Sequence, residues 1–197
     1  MSAPAEGAPA LIARELSRRF ARENEPPVRA LDGVSIEVRH RALTALVGPD
    51  GAGKTTLMRI AAGLLPADSG EMKVLGLDVA THAQQIQDRI SYMPQRFGLY
   101  EDLTVGENLD LYADLHGVSG EERAVRYPRL MAMTALAPFK DRLAGRLSGG
   151  MKQKLGLACT LVRSPICYCS TNRPSASIRC RAGSCGKSFN RSWTNRA

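Results

Sequence analysis

Ala42-Leu-Thr-Ala-Leu-Val47-Gly48-Pro49-Asp50-Gly51-Ala52-Gly53-Lys54-Thr55-Thr56 is the stretch whose reading decides the fold. Its first six residues form an almost wholly apolar run that stops at a glycine, the pattern expected of a buried central strand. A helix is expected to follow from about Gly53 to Leu64, with Leu57, Ile60, Ala61 and Leu64 on one face. Between strand and helix, Gly48 to Thr55 fits G-x-x-x-x-G-K-[ST]. Glycines there let successive backbone N–H groups point inward at a phosphate chain, and the helix N-terminus adds a favourable dipole. Lys54 is placed to reach β- and γ-phosphates, and the Thr55 hydroxyl to coordinate Mg²⁺. The plainer reading is a glycine-rich turn before a helix; the strand–loop–helix context favours a nucleotide triphosphate.

Working outward, Val34, Ile36 and Val38 alternate with polar Ser35 and Glu37 as in a half-buried strand. Val74–Leu77 and Ile90–Met93 are further short strand candidates. From Asp102 to Leu147 the pattern turns helical. Thr104 with Glu107, and Ser119 with Glu122, each fit a capping box. Pro128 and Pro138 punctuate that half. Beyond it, Leu147-Ser148-Gly149-Gly150-Met151-Lys152-Gln153 leads into a second apolar helix pattern. Ser148 is a natural N-cap, and Gly149 and Gly150 leave backbone N–H groups open at a helix start. This is a second anion-binding device on the same chain.

On these motifs the chain resembles the ATP-binding subunit of ABC transporters over roughly residues 11–165. Gly48–Thr56 is similar to the family's Walker A loop and Leu147–Gln153 to its LSGGQ signature. Gln95, in Tyr92-Met-Pro-Gln95, stands where the family has its Q-loop glutamine. The wording from Pro94 to Asn108 resembles bacterial multidrug exporters of the ABC-2 class. The resemblance implies an α/β fold, a P-loop NTPase core with a helical subdomain at about residues 96–147. It implies ATP and Mg²⁺ held by Gly48, Pro49, Asp50, Gly51, Ala52, Gly53, Lys54, Thr55 and Thr56, with Thr55 and Gln95 toward the metal. Ser148, Gly149 and Gly150 of one domain would close on the ATP of a second domain, and Phe20 would stack on adenine. Membrane-spanning permease subunits are the implied partners, with the chain peripheral on the inner face of the plasma membrane. Arg41 stands where the family has a turn glycine, which carries a cost if its φ is positive.

The family also requires a Walker B strand ending in Asp-Glu, a later Asp-containing loop and a switch His. After Pro165 there is no Asp, Glu or His, so no catalytic residue is assigned and hydrolysis is expected to be impaired, the fold being incomplete at the C-terminus. Residues 166–197 differ from the body in kind. They hold four of the five cysteines, the single Trp193 and six basic residues, with no Leu or Val. Taking six from the chain's net charge of +8 leaves +2 for the body, so the basic balance argues weakly for a nucleic-acid partner and none is expected.

Codons permitted for Ile166 to Arg173, read one base out of register, can spell Leu-Leu-Leu-Leu-Asp-Glu-Pro, a Walker B strand. The tail is therefore expected to be out-of-frame translation. Its Cys-x-Cys and Cys-x₄-Cys spacings miss the usual zinc knuckle, and disulfides are not expected in a reducing compartment. Residues 1–10 are expected to be irregular. No run approaches the ~18 apolar residues of a membrane span, and the start lacks a signal-peptide pattern, so a cytoplasmic setting is expected. Two other functions remain open at this level: a soluble ABC-type ATPase acting on nucleic acid, and a non-catalytic nucleotide-binding module.

Overall fold

The computed structural model describes residues 9–95, 98–172 and 175–180. They group into two units. One holds the described residues up to Gln95 and from Pro165 onward; the other holds those between, through Ser164.

The first unit contains β1 (Pro9–Arg22), β2 (Glu25–Arg39), β3 (Leu43–Val47), α1 (Lys54–Ala61), β4 (Ser69–Val74), β5 (Leu77–Asp78), α2 (Ala83–Gln87) and β6 (Ile90–Met93). After the helical unit the chain returns to it with β7 (Cys167–Asn172) and β8 (Ser175–Cys180). β1 and β2 form a long antiparallel ribbon in a four-stranded sheet ordered β2-β1-β4-β5, and the second sheet runs β3-β8-β7-β6. The alternation from Val34 to Val38 lies in β2, with Ser35 and Glu37 exposed and Val38 fully buried. β6 falls where the sequence places it. The Val74–Leu77 candidate is instead the turn joining β4 to β5, made by Leu75 and Gly76, both at positive φ. Pro9 and Ala10 already belong to β1, with Ala10 completely buried, so the irregular start expected through residue 10 does not include them; residues 1–8 lie outside the described residues.

β3 departs from expectation. Instead of a buried central strand it is the edge of its sheet, because β8 is the one strand paired with it among the described residues. α1 is shorter than the apolar pattern suggests. It ends at Ala61, and Leu64, expected on its buried face, is exposed. Leu57, Met58, Ile60 and Ala61 of α1 share one core with Ala176, Ile178 and Cys180 of β8 and with Cys167 and Cys169 of β7.

The tail thus supplies a hairpin where no strand pattern was expected. Ala176, Ile178 and Cys180 are buried, with Ser177 and Arg179 between them less so. This period of two is easily missed because Ile178 is the one large aliphatic among its buried positions, between small Ala176 and Cys180. Cys167 and Cys180 are register partners and are joined by a disulfide, against the expectation of free thiols. β7 lies parallel to β6 and antiparallel to β8, and β8 is antiparallel to β3. β3, β6 and β7 therefore all point the same way, and their carboxyl ends lie along one rim of the sheet.

The second unit is helical: α3 (Val105–Leu115), α4 (Gly120–Thr134), two 3₁₀ turns at Ala137–Phe139 and Ala144–Arg146, and α5 (Gly149–Leu161). It extends past the expected boundary near residue 147 to include α5. Both capping boxes form. Thr104 and Ser119 accept from the backbone N–H of Glu107 and Glu122, whose carboxylates accept from the cap residues in return. Pro128 does not break α4; it sits inside the helix. Asn108 is fully buried and anchors the start of α3. Its amide nitrogen donates to the carbonyls of Tyr100, Leu103 and Thr104, and its Oδ1 accepts from Tyr100 N–H at 3.0 Å.

Candidate functional site

The loop after β3 is shaped by glycines whose conformations other residues resist. Gly53 has φ +80°, and a Cβ there would lie 2.1 Å from the Ala30 carbonyl oxygen and 2.9 Å from Leu31 Cδ2. The backbone of β2 thus presses directly on the residue that starts α1, and only a residue without a side chain fits. Gly51 is also left-handed, at φ +83°, but in open space. Ala52 N–H donates to the Pro49 carbonyl at 3.3 Å and closes the loop on itself.

Gly53 is the N-cap of α1, and no side chain caps this helix. Its first turn carries no acidic residue. The N–H groups of its first turn and the positive end of the helix dipole are thus left without a side-chain cap. Lys54 Nζ folds back over the loop and donates to the carbonyls of Gly48 at 2.7 Å and Pro49 at 2.6 Å. This holds the ammonium against the start of the loop. Thr55, one residue on, is exposed, and Thr56 is half-buried.

Gln95 is exposed two residues beyond the end of β6. The strand directions put it on the same rim of the sheet as Gly48, with β8 and β7 between their strands. The carboxyl ends of parallel strands are where α/β sheets bind ligands. On that rim β7 ends in Ser170, Thr171 and Asn172 rather than in carboxylates. The Thr171 hydroxyl is buried and lies 3.4 Å from the Tyr92 hydroxyl and 3.5 Å from the Met93 carbonyl oxygen. Among the described residues no group of three or more His, Cys, Asp or Glu side chains is disposed to hold a metal.

Phe20 lies on β1 opposite Val28, with 37% of its surface exposed. The Arg18 guanidinium sits 5.2 Å from its ring centre. Arg18 in turn faces Leu31, which touches the Gly53 position. Phe20 is thus two residues along β1 from Arg18, whose register partner Leu31 approaches Gly53. Sequence reasoning missed the part played by Ala30 and Leu31: they carry no chemical motif, and the demand for glycine at position 53 is the one signal of their approach.

In the helical unit Ser148 caps α5, its Oγ accepting from Met151 N–H at 3.4 Å. Gly149 and Gly150 are exposed, and a Cβ at either would meet nothing within 4 Å. This helix start presents bare backbone to solvent. Arg41, as the sequence warned, has φ +61°, a left-handed conformation for a residue with a long side chain in a turn.

The profile of the family described as ABC transporter matches residues 31–169, a span that runs from beside the phosphate loop through the signature helix into β7. The chain belongs to the ABC transporter family. Over 150 residues, 76% of this chain, it is 56% identical to the probable multidrug ABC transporter ATP-binding protein YbhF of Escherichia coli (strain K12), of which that stretch is 25%. It is 34% identical over 156 residues to the daunorubicin resistance ATP-binding protein DrrA2 of Streptomyces coeruleorubidus, covering 79% of this chain and 47% of that one. The chain thus spans a quarter to a half of the length of these two relatives. A solved dimer of the ATP-binding cassette MJ0796, in a post-hydrolysis state with ADP and Pi, superposes with a TM-score of 0.67 at 25% identity, over 79% of this chain and 70% of that one. An ATP-binding subunit of an ABC transporter gives a TM-score of 0.64 at 27% identity, over 81% and 64%. The expected α/β P-loop fold is borne out by these superpositions. Among the described residues no helix of this family member is long and apolar enough to cross a membrane.

Proposed function

We propose that this chain is the nucleotide-binding part of an ABC-type export ATPase, and that it binds Mg-ATP but turns it over poorly. The observation that carries the reading is the loop from Gly48 to Thr56, an uncapped helix start with an ammonium folded over it, at the carboxyl end of a strand. The names of YbhF and DrrA2, both ATP-binding proteins, support it.

Gly51, Ala52 and Gly53 would offer backbone N–H groups to the phosphates, Lys54 would leave its two carbonyl partners for the β- and γ-oxygens, and Phe20 would stack on the base. The Thr55 hydroxyl and the Gln95 amide oxygen are hard oxygen donors that suit Mg²⁺, which would offset charge on the phosphate chain. Ser148, Gly149 and Gly150 would meet the γ-phosphate bound to another copy or to a tandem domain. Membrane-spanning permease subunits would receive the resulting motion, with this chain on the inner face of the membrane.

Turnover needs a carboxylate to position the attacking water, and Ser170, Thr171 and Asn172 stand on the rim where one is required. Residues 166–197 are best explained as translation in the wrong frame. In the adjacent frame the codons of Ser170 to Asn172 permit Asp-Glu, which falls at the carboxyl end of β7. The coding DNA tests this directly: if its adjacent frame does not spell Asp-Glu there, the tail is genuine sequence and the reading fails. For binding, a fluorescent ATP analogue with Mg²⁺ should saturate on the purified chain and bind roughly tenfold to a hundredfold more weakly to Lys54→Ala. Equal binding by the variant would overturn the site, and phosphate release at ordinary transporter rates would overturn the impairment.

A further inference from the structure

Asp68 is docked onto three successive residues of β1. Its backbone N–H donates to the Ser17 carbonyl at 2.9 Å, its Oδ1 accepts from Arg18 Nη1 at 2.5 Å, and its Oδ2 accepts the Arg19 N–H at 2.6 Å. These contacts, the Arg19 N–H foremost, hold the Asp68 carboxyl below the usual carboxylate range, so it is an anion at neutral pH. An ion pair this exposed adds little to stability by itself; what it fixes is the place of the guanidinium. Arg18 Nε is buried and has no hydrogen-bond partner among the described residues. The fork is therefore not laid side-on against Asp68, as in the strongest Arg–carboxylate pairs. The guanidinium carbon lies instead over the Phe20 ring, 5.2 Å from its centre, within the range of a cation–π contact. β2 carries a bulge opposite this pair: Arg18 faces Leu31 and Arg19 faces Arg29, which leaves Ala30 as the extra residue. Ala30 and Leu31 are the two residues that close on the Gly53 position, so the register that places Arg18 is also tied to the start of α1.

We propose that Arg18 is a positioning residue for the base of a bound nucleotide. It covers one face of the Phe20 ring and holds the other face in place for stacking, with Asp68 as its anchor. This role presupposes the nucleotide site proposed above. An exposed phenylalanine that is free to change rotamer has to be immobilised when a base stacks on it, and that ordering weakens binding. A ring already held by a cation does not carry the cost. Stacking on a π-face is open to any base, so the effect belongs to bases as a class and not to adenine alone. A ligand with phosphates and no base gains nothing from it.

Isothermal titration of the full chain with Mg-ATP and with Mg-tripolyphosphate, which has no base, tests the role. Arg18→Met keeps a long side chain without the charge. It should weaken ATP by roughly fivefold to tenfold and leave tripolyphosphate within about twofold of wild type. Arg18→Lys keeps a cation over the ring and should recover most of the loss. Phe20→Leu should weaken ATP at least as much as Arg18→Met. Adding Arg18→Met to Phe20→Leu should cost nothing further, because Arg18 acts through the ring. Thermal melts confirm that each variant folds. An Arg18→Met variant that binds ATP like wild type, an equal loss for tripolyphosphate, or losses that add in the double variant would each overturn the role while leaving the nucleotide site standing. A wild type that binds neither ligand would overturn the site itself, and the role with it.

Discussion

Gly53 stands so close to Ala30 that a single added carbon would lie 2.1 Å from the Ala30 carbonyl oxygen. The ribbon of β1 and β2 and the start of α1 are thereby locked together through a position that also has φ +80°. Gly53→Ala must therefore leave the left-handed region or push β2 away. The left-handed conformation alone costs an alanine about 1–2 kcal/mol, and the overlap adds to it, for an expected loss of about 3 kcal/mol. Urea denaturation should show that loss together with loss of nucleotide binding. Gly51→Ala keeps the backbone penalty without the clash, so it should cost less; equal costs for the two would contradict the contact.

Lys54 makes a contrasting case, because its ammonium is held by the Gly48 and Pro49 carbonyls at the protein surface rather than by buried partners. Lys54→Ala returns those carbonyls to water, and the stability change should stay within about 0.5 kcal/mol. Affinity for a triphosphate should fall by roughly tenfold to a hundredfold, the worth of a charged hydrogen bond. Isothermal titration and a thermal melt on the same preparation separate the two effects. A variant that melts well below wild type would show that the lysine holds the loop together as well as serving the ligand.

What could be read from the residues alone depended on how local the governing chemistry was. The boxes at Thr104–Glu107 and Ser119–Glu122, the N-cap at Ser148 and strand β6 are each set by neighbours within a few positions, and each stands in the structure where the sequence places it. The apolar run of β3 could not reveal that it forms an edge, because centrality depends on which later strands flank it, and among the described residues only β8 does. The hairpin of β7 and β8 was hidden for another reason. In β7 the consecutive Cys167, Tyr168 and Cys169 are all buried, and in β8 the buried positions are Ala176, Ile178 and Cys180, a set too mixed to signal a period of two. Long-range contacts such as Gly53 with Ala30 leave no periodic trace at all.

Asn108 illustrates how a polar residue in a helix start can be structural. All of its side-chain polar atoms are paired with backbone groups of Tyr100, Leu103 and Thr104, in full burial. Asn108→Leu would leave the Tyr100 N–H and three carbonyls with one partner fewer, at an expected cost of about 3 kcal/mol. Hydrogen exchange should show the loss in the amides of α3 first. Unchanged protection there would mean that the loop before α3 is held by other contacts.

Acid should loosen the same helix. The Glu107 carboxylate accepts the Thr104 N–H at 2.7 Å, and this hydrogen bond holds its pKa below the usual 4.5. A carboxyl whose pKa is lowered by folding binds its proton more readily when unfolded. Its contribution is therefore complete above about pH 4.5 and disappears as the pH falls through the lower, folded value. Glu107→Gln preserves the capping box but cannot titrate. Thermal melts between pH 6 and pH 3 should show a shallower fall for the variant than for wild type. Parallel curves would remove Glu107 from the acid response.

The Cys167–Cys180 disulfide closes the open end of the hairpin, where Arg41 N–H, in the turn before β3, donates to the Cys180 carbonyl at 2.9 Å. With 13 residues of separation, such a bridge restricts the unfolded chain by about 3 kcal/mol. Reduction should lower the stability of the sheet by that amount. The double variant Cys167→Ser/Cys180→Ser should match the reduced protein and no longer respond to reductant. The two free thiols among the described residues should behave differently. Burial pushes the Cys169 thiol up to about 12 and that of Cys159 higher still, so neither offers a thiolate near neutral pH. Iodoacetamide applied to the native, oxidised protein should therefore leave all four of these cysteines unmodified, and should label Cys159 and Cys169 only after unfolding. Rapid native labelling at Cys167 or Cys180 would show that the bridge is absent in solution, and the expected loss on reduction would go with it.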